Sequence, residues 1–531
     1  MNDKKETKIL KSSTAYIIYN PGIQLYDLID ACSTTDYKTQ EKKPLAYTYD
    51  PEKEIIRVPA GLGDSYITSL FPGVKIEILK YQPFKPTDFT MVSTPDKYQK
   101  KVLGDIVSTL KKDSQVKCTL PTGTGKTFTA TFLISILKMK TLVVVGTDNL
   151  RQQWQGSFLK HSTLRQKDIL VMEGASAFAY NYPNTQIFIT THHTIRSLLN
   201  PDNPASVRRF NEWLVHNGIG IKIFDEADLE TLNMFKVDLT TNVCRTLYLT
   251  ATDYKSSRYD DAVYQRCFQV TKAYGAEQFI GMKPNRAGFI ILHNTKPGKA
   301  LYTRPMSFSN DFSPVKYCEY LFMYRLDFVM EWCDEARKVW DTIAKVKYNP
   351  DARLLITVSR KHYCFILRDM LMERWGLEYK DIGVFNSAVD PKWKDNEFKK
   401  KIVISTLKSF GRGVDSENMD VHLDFEVYIS GSQFSQAVGR TGRKGGSKGF
   451  YITAFDLAYT FIQISYKKKK EYLETLFESY KIVEKNYDYE VVARDEAVKM
   501  RKQFQLKWWK YLKNEKDERM TAKKKYSKGD E

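Results

Sequence analysis

Short apolar runs alternate with longer amphipathic segments over most of the chain, and they form two repeating stretches. In the first, strand-like runs rich in β-branched residues are separated by segments of helical spacing such as NLRQQWQGSFLKH and VRRFNEWLVHN; the runs are VKCTL, TLVVVGT, IFITT, IKIF and TLYLTAT. The strand-like runs of the second stretch are RLLITVS, KIVISTL, VHLDFEV and GFYITAF. Short buried strands alternating with helices predict parallel α/β sheets. We therefore expect two α/β domains, at residues 91–282 and 283–456.

The pattern differs at the two ends and in the middle of the chain. Residues 1–90 contain the strand-like runs STAYIIYN, EIIRV and VKIEIL and predict a small α+β domain. The following YQPFKPTDFT contains two prolines and predicts a linker. The rhythm breaks over about 255–350, and residues 457–531 predict a helical, basic C-terminal extension without strands.

The composition of the chain indicates which class of partner the protein binds. The chain has 531 residues and a net charge of +19, which favours a polyanionic partner such as nucleic acid over a merely solvated basic surface. Its seven cysteines form no C-x-x-C pair, which predicts reduced, buried thiols in a cytoplasmic compartment, without a zinc site. The N-terminus lacks the apolar core of a signal peptide, and we expect no membrane-spanning segment.

The stretch CTLPTGTGKTFTATFLISIL places glycines between a strand-like and a helix-like run. A helix beginning at Lys126 would direct backbone N–H groups and a positive dipole end at an anion. Lys126 would reach the β- and γ-phosphates of ATP, and the Thr127 hydroxyl would hold Mg²⁺. The strict phosphate-loop pattern has another glycine where Leu120 stands. This stretch alone therefore leaves open an ordinary strand, turn and helix.

IKIFDEAD places Asp225 and Glu226 directly beyond a strand. Phosphoryl transfer from ATP requires a carboxylate for the Mg²⁺ shell and a group that orients or deprotonates water. Asp225 fits the first role and Glu226 the second. The alternative is an acidic first turn of a helix, which the glycine loop upstream makes the weaker interpretation.

A third segment, SQAVGRTGRKGG, is predicted to be helical, with Gln436, Arg440 and Arg443 on one face at i, i+4 and i+7. Arginines on one helix face predict arginine fingers, which are side chains that stabilise transition-state charge at the γ-phosphate. The alternative is a basic surface helix that binds phosphate or nucleic acid, although the glycines disfavour a plain surface helix.

In chain order, segments over about residues 92–456 resemble the motifs of superfamily 2 helicases and translocases. TPDKYQ resembles the adenine-reading motif, and LPTGTGKT resembles motif I. VVVGTDNLRQQW resembles motif Ia, and ITTHHTI resembles the nucleic-acid motif that follows it. Five later segments resemble motifs II, III, IV, V and VI, and these are, in that order, DEAD, LTATD, LLITVSRKH, ISTLKSFGRGVD and QAVGRTGR. The family uses a compact Thr-Gly-x-Gly-Lys-Thr loop, which accounts for Leu120. Gly146 and Asp253 replace prolines common in the family, at positions that we expect to carry no chemistry.

The resemblance implies two RecA-like domains that bind ATP and Mg²⁺. It implies catalytic roles for Lys126, Asp225, Glu226, Gln436, Arg440 and Arg443, with Mg²⁺ at Thr127 and Asp225. It implies nucleotide contacts by Tyr98, Gln99, Thr122, Gly123, Thr124, Gly125, Lys126, Thr127, Gly413 and Asp415. It implies nucleic-acid contacts by Thr147, Thr191, Thr250, Thr252 and Thr406.

Two features favour DNA as the substrate. Thr-Ala-Thr in motif III and Gln-Ala-Val-Gly-Arg in motif VI differ from the pattern of RNA-specific DEAD-box proteins. YDPEKEIIRVPAGLGDSYITSLFPGVKIEIL resembles the small domain that precedes the motor in XPB-like and phage UvsW-like helicases. The resemblance implies an ATP-dependent, monomeric DNA helicase or translocase that remodels branched or duplex DNA in replication, recombination or repair, with a phage or viral origin. An RNA helicase, a transcription-associated motor and an ATP-gated annealing clamp remain open.

The accessory segments have two interpretations each. Residues 1–90 either recognise branched or duplex DNA or support the folding of the first motor domain. The C-terminal extension either adds non-specific affinity for DNA or packs onto the motor as a strap through Trp508 and Trp509.

Overall fold

A computed structural model describes the chain at residues 6–36, 39–120, 124–199, 204–227, 230–251, 258–269, 272–274, 285–294, 312–346, 349–406, 419–428, 431–439, 448–470 and 473–485, and at Ser409 and Thr441. These residues fall into two compact units that divide near residue 281. The first unit contains an N-terminal α+β domain and one RecA-like domain, and the second contains the other RecA-like domain.

The N-terminal domain is a mixed sheet with two short helices. Its strands are β1 (Lys8–Lys11), β2 (Ala15–Tyr19), β3 (Ser33–Thr35), β4 (Lys42–Pro44), β5 (Thr48–Asp50), β6 (Ile55–Pro59) and β7 (Ile76–Ile78), and its helices are α1 (Leu25–Ala31) and α2 (Asp64–Leu70). The sheet has the order β5-β6-β2-β1-β7, and β1 runs parallel to β7 but antiparallel to β2. The strands predicted in STAYIIYN, EIIRV and VKIEIL are confirmed as β2, β6 and β7.

The first RecA-like domain is a parallel sheet with helices between its strands. Its elements are α3 (Lys97–Lys112), β8 (Gln115–Thr119), α4 (Lys126–Leu137), β9 (Thr141–Val145), α5 (Asp148–His161), β10 (Ile169–Val171), β11 (Ile187–Thr191), α6 (His192–Leu198), α7 (Pro204–Asn217), β12 (Ile221–Phe224), α8 (Thr231–Thr240), β13 (Arg245–Thr250), α9 (Arg258–Cys267) and β14 (Lys272–Tyr274). The strand order is β10-β11-β9-β12-β13-β8-β14. All five residues of β9 are buried, as expected for a strand covered on both faces.

One hydrophobic core joins the N-terminal domain to the first RecA-like domain. Buried Ile9, Tyr16 and Ile56 belong to the same cluster as Val243 and Tyr264. In the contacts between the two domains, β6 packs on α8 and β3 packs on α9. The N-terminal domain therefore contributes directly to the core of the unit that contains the phosphate loop.

A buried polar network reinforces this junction. The Thr14 hydroxyl donates to the backbone carbonyl of Asp238 over 2.7 Å. The Asp238 carboxylate in turn accepts from the Lys222 ammonium over 2.8 Å and from the Tyr248 hydroxyl over 2.7 Å. Because both members of the ion pair are fully enclosed, loss of either partner would leave an uncompensated buried charge.

The segment predicted as a linker is an ordered, extended part of the first unit. Residues 79–92 lie along the amino ends of β9, β12 and β13, where their backbone N–H groups donate to carbonyls of the RecA-like domain: Gln82 to Asn242, Lys85 to Gly218, Thr87 to Lys138 and Val92 to His161. Its prolines suit an extended segment that pairs through alternate residues and not through a full ladder.

The second RecA-like domain repeats the architecture. Its elements are β15 (Arg286–His293), α10 (Pro314–Tyr324), α11 (Leu326–Val346), β16 (Arg353–Val358), α12 (Lys361–Trp375), β17 (Ile382–Phe385), α13 (Pro391–Lys399), β18 (Ile402–Thr406), β19 (Met419–Asp424), α14 (Gly431–Val438), β20 (Gly449–Asp456), α15 (Thr460–Lys470), α16 (Leu473–Leu476) and β21 (Ser479–Lys485). The order β17-β18-β16-β19-β20-β15-β21 is parallel throughout.

Two sequence predictions about this domain are wrong. Within the predicted break at 255–350, β15 is an eight-residue strand that pairs with β20 and β21. Within the extension predicted to lack strands, β21 is an edge strand of the same sheet. All seven of its residues are exposed or half-buried, so it lacks the apolar run by which buried strands are recognised. Residues 486–531, with Trp508 and Trp509, lie outside the described residues.

All seven cysteines are free and buried, as predicted. Among the described residues, no helix has both the length and the apolar composition needed to cross a bilayer.

Candidate ATP site and nucleic-acid interface

The phosphate loop has the backbone geometry expected of an anion-binding turn. α4 begins at Lys126, as predicted, and Gly125 before it has a φ of +86°. This left-handed conformation strains residues other than glycine. A Cβ atom at Gly125 would also lie 2.6 Å from Nε2 of Gln99, so the end of that side chain would have to move. Thr122 and Gly123 lie outside the described residues.

Gln99 connects the first turn of α3 to this loop. Its Oε1 accepts from the backbone N–H of Asp96 over 3.0 Å, while the Asp96 carboxylate accepts from the N–H of Gln99 over 2.9 Å. These reciprocal bonds form a capping box. The Nε2 of Gln99 donates to the carbonyl of Thr124 over 3.4 Å. Gln99 thus supports the phosphate loop directly, and its contact with adenine, like that of neighbouring Tyr98, remains a prediction.

The end of β8 ties the phosphate loop to the strand that carries motif III. The Lys126 ammonium donates to the carbonyl of Leu120 over 3.2 Å. The N–H of Leu120 donates to the carbonyl of Thr250 over 2.9 Å. Leu120 therefore has a structural role at the position where the strict pattern has glycine. Thr252 lies outside the described residues.

Asp225 is held from two directions at the carboxyl end of β12. Its Oδ2 accepts from the indole N–H of Trp154 on α5 over 2.9 Å, and its Oδ1 accepts from the N–H of Glu226 over 3.0 Å. Asp225 is 5% exposed and Trp154 is fully buried. The sequence indicated only that Trp154 lies on a helix, and no local signal connected it with the acidic pair.

Glu226 lies beside the glycine of motif Ia. It has a φ of +54°, a left-handed conformation that is uncommon outside glycine and that marks strained functional positions. A Cβ atom at Gly146 would lie 3.2 Å from Oε2 of Glu226. Gly146, predicted to carry no chemistry, therefore provides the space in which the Glu226 carboxylate lies.

The residues present suit a Mg²⁺ ion held mainly by a nucleotide. Asp225 supplies a fixed carboxylate, and Thr127 supplies a half-buried hydroxyl in the first turn of α4. Mg²⁺ characteristically takes one or two protein oxygens and completes its shell with water and substrate phosphates. Bound there, the ion would neutralise phosphate charge, while Trp154 keeps the carboxylate in one orientation.

The predicted nucleic-acid threonines cap helices or loops. Thr147 caps α5 by accepting from the N–H of Leu150, and Thr191 caps α6. The Thr406 hydroxyl donates to that of Ser409 over 3.0 Å. Thr191, Thr250 and Thr406 are each no more than 5% exposed. Their contacts with nucleic acid therefore remain predictions.

The helix predicted to carry motif VI is shorter than expected. α14 ends at Val438, and the N–H of Thr441 closes a turn onto the Val438 carbonyl. Arg440 and Arg443 therefore follow the end of this helix in the chain, and the prediction that they share one face with Gln436 stays a prediction. Gly439 and Gly442 explain the early end, because glycine is a poor helix former. Arg440, Arg443, Gly413, Asp415 and the side chain of Gln436 lie outside the described residues.

Comparisons with known proteins agree with this geometry. Residues 93–254 match the family model described as type III restriction enzyme, res subunit. The chain is 26% identical over 398 residues to transcript termination protein A18 of fowlpox virus, an alignment that covers 72% of this chain and 79% of that protein. These two matches support the assignment of the chain as a superfamily 2 helicase. It is accordingly an ATP-dependent enzyme, and its family uses ATP with Mg²⁺.

Two solved structures are similar to this helicase at a lower level. Dbp5 of S. cerevisiae bound to RNA and ADP BeF3 has a TM-score of 0.48 and 14% identity, over 77% of this chain and 94% of that one. UvsW of phage T4 has a TM-score of 0.34 and 15% identity, over 91% of this chain and 99% of that one.

Proposed function

We propose that this helicase uses ATP hydrolysis to translocate on DNA and to displace strands paired with it. The observation that carries the proposal is the placement of Lys126 beyond β8 and of Asp225 and Glu226 beyond β12. Carboxyl ends of parallel strands lie at one edge of a sheet, so the phosphate-binding and water-activating groups share that edge. The charge of +19 supports a nucleic-acid track contacted through its phosphates.

In this proposal each side chain has a separate role. Lys126 binds phosphate oxygens, Asp225 and Thr127 hold Mg²⁺, and Glu226 orients and deprotonates the attacking water. Arg440 and Arg443 stabilise charge that develops at the γ-phosphate. Replacement of either arginine by alanine should lower kcat far more than ATP affinity. Loss of DNA affinity alone would favour the basic-surface alternative.

The fowlpox relative favours a more specific role. Its name describes transcript termination, and the alignment covers most of both chains. We therefore propose, as a second candidate, that the displaced strand is a nascent RNA paired with template DNA. This role would operate in the cytoplasm or at a viral replication site. Branched-DNA remodelling remains the alternative, together with an RNA helicase and an annealing clamp without net unwinding.

The test is ATPase activity and strand displacement on matched substrates. Single-stranded, duplex, forked and Holliday-junction DNA, RNA, and an RNA–DNA hybrid with a DNA overhang would be compared at one salt concentration, with Lys126→Ala as the inactive control. Stimulation by DNA with release of RNA from the hybrid supports transcript displacement. Preferential unwinding of forks supports remodelling. Stimulation by RNA alone contradicts a DNA track, and ATPase activity without displacement supports the clamp.

A further inference from the structure

Trp393 differs from the other tryptophans that the structure describes. Trp154, Trp213 and Trp332 are at most 3% exposed, and Trp340 and Trp375 are half-buried. Trp393 is 61% exposed. A large aromatic face in water contributes little to folding, so the Trp393 ring is available for contact with a partner.

The fold places Trp393 at the carboxyl edge of the second RecA-like sheet. α13 packs along the edge strand β17 and runs back from its carboxyl end. At the start of the helix, the Lys394 ammonium lies 6.0 Å from the ring of Phe385, the last residue of β17. At its end, the Lys400 ammonium donates to the carbonyl of Ile382, the first residue of that strand. Trp393, in the first turn, therefore lies near the carboxyl end.

The neighbouring strand at this edge carries motif V. Phe385 pairs with Ser405 of β18, and β18 ends at Thr406. The loop between β17 and α13 is fixed as well, because Asn386 donates from Nδ2 to the carbonyl of Lys361, at the start of α12. The first turn of α13 is thus a rigid part of the edge to which the motif IV and motif V segments lead.

The charges around Trp393 favour an anionic partner. Lys392 and Lys361 are exposed, and Lys394 is half-buried.

The Asp390 carboxylate caps α13 by accepting from the N–H of Lys392 over 2.9 Å. The Glu397 carboxylate is turned inward, where it accepts from the N–H of Val384 and from Lys400. Asp395 is an exposed acid on the same helix, so the surface is mixed, and Lys392 and Lys394 are the neighbours of Trp393 in the chain.

We propose that Trp393 stacks on a base of single-stranded nucleic acid while Lys392 and Lys394 contact the adjoining phosphates. This combination of an aromatic face with flanking cations is how proteins bind single strands without reading their sequence. The inference rests on the proposed function and adds to it a direct contact between a side chain of this helicase and a base. Such a contact tolerates every base, as a motor that travels along a strand requires.

The test is the affinity of the full chain for fluorescent 20-nucleotide single strands, measured by anisotropy without ATP. Trp393→Ala should weaken binding about 5- to 150-fold, the range for loss of one stacked base. Trp393→Phe should keep most of the affinity. Tyr379→Ala is the matched control, because Tyr379 is 54% exposed and lies near Asp381, which precedes β17 at the opposite edge of the sheet. It should bind as the wild type does.

Two further readouts separate stacking from charge and from misfolding. The slope of log affinity against log salt should be unchanged in Trp393→Ala and should fall by about one in Lys392→Ala. The fluorescence emission of Trp393 is the difference between the emission of the wild type and that of Trp393→Phe. The oligonucleotide should quench this emission. Unchanged affinity in Trp393→Ala, or an equal loss in the Tyr379 control, would overturn the inference. If the wild type bound no single strand, the proposed function itself would fail.

Discussion

The indole N–H of Trp154 donates to Oδ2 of Asp225 over 2.9 Å in a solvent-excluded region. Trp154→Phe would keep an aromatic ring in the core but remove the donor. Loss of a hydrogen-bond partner of a metal-binding side chain typically lowers metal affinity or activity about 10- to 100-fold. We therefore expect Mg²⁺-dependent ATP turnover to fall by about that factor, as measured by ATPase titrations with Mg²⁺.

Trp213→Phe is the control for this change. Trp213 is also buried in the first unit, and its indole N–H has no hydrogen-bond partner among the described residues. This variant should keep wild-type turnover. Equal losses in the two variants would mean that Trp154 acts through packing alone.

Glu226→Gln should bind ATP and Mg²⁺ but hydrolyse ATP orders of magnitude more slowly, because the amide cannot accept the proton of the attacking water. Nucleotide binding would be measured by fluorescence titration and hydrolysis by phosphate release. If the variant instead lost nucleotide binding, Glu226 would belong to the binding site and not to the water-activating step.

Gly146→Ala should lower kcat, because the added methyl group would lie 3.2 Å from Oε2 of Glu226 and displace the carboxylate by a few tenths of an ångström. Misplacement at a catalytic group is costly, and we expect a loss of about 10-fold. Gly156→Ala is the matched control, since a Cβ there meets nothing within 4 Å. Inside α5 that change should stabilise the protein by about 0.5–1 kcal/mol and leave kcat unchanged. Equal kcat in both variants would contradict the assigned role of Gly146.

The sequence predicted buried strands well and exposed strands poorly. β12 coincides with the predicted IKIF, and β9 lies within TLVVVGT, because a strand covered on both faces is mostly apolar. β21 is an edge strand with exposed charges, so its sequence resembles that of a surface helix. β15 precedes its sheet partner β20 by more than 150 residues, a pairing that no local pattern can indicate.

The site was predictable where chemistry demands fixed spacing. The start of α4 at Lys126 follows from the glycines before it and the apolar run after it. The contacts of Trp154 with Asp225 and of Gly146 with Glu226 join distant segments and depend on the packing of α5 on the sheet. Their residue types carry no local signal of these roles.

Removing residues 1–78 should leave the first RecA-like domain insoluble or strongly destabilised, because β6 and β3 cover α8 and α9 in a shared core. Thermal unfolding and solubility of the truncated protein would test this. Ile23→Ser with Tyr26→Ser is the control, since these side chains are 79% and 76% exposed and should not affect stability. A soluble truncated protein with normal ATPase activity but no fork preference would instead support the DNA-recognition role.

The second RecA-like domain should become more stable as pH rises above 7, through Lys469. Burial lowers the pKa of Lys469 to about 7, and its ammonium donates to the carbonyl of Tyr428 over 2.6 Å and to the hydroxyl of Ser465 over 2.8 Å. A lysine is ordinarily protonated up to a pKa of about 10.4. Between these values the unfolded chain binds a proton that the folded domain does not, so the free energy of unfolding increases with pH.

Lys469→Met should remove this dependence, and thermal unfolding between pH 6 and pH 9 would measure it. The contribution of one such group is at most about 1.4 kcal/mol per pH unit. Wild-type and variant curves that stay parallel over this range would show that Lys469 is not titrating.

The shared core of the first unit also has a consequence for synthesis. β1 to β7 leave the ribosome before α8 and α9, the helices that they cover, have been made. At typical rates of about 5–20 residues per second, the interval of roughly 190 residues lasts on the order of 10–40 seconds. During that interval the apolar residues of the N-terminal sheet lack their partners and are open to chaperones or to aggregation. Yield in the host should therefore depend on translation speed and temperature more than is usual for a domain that can fold as soon as it emerges.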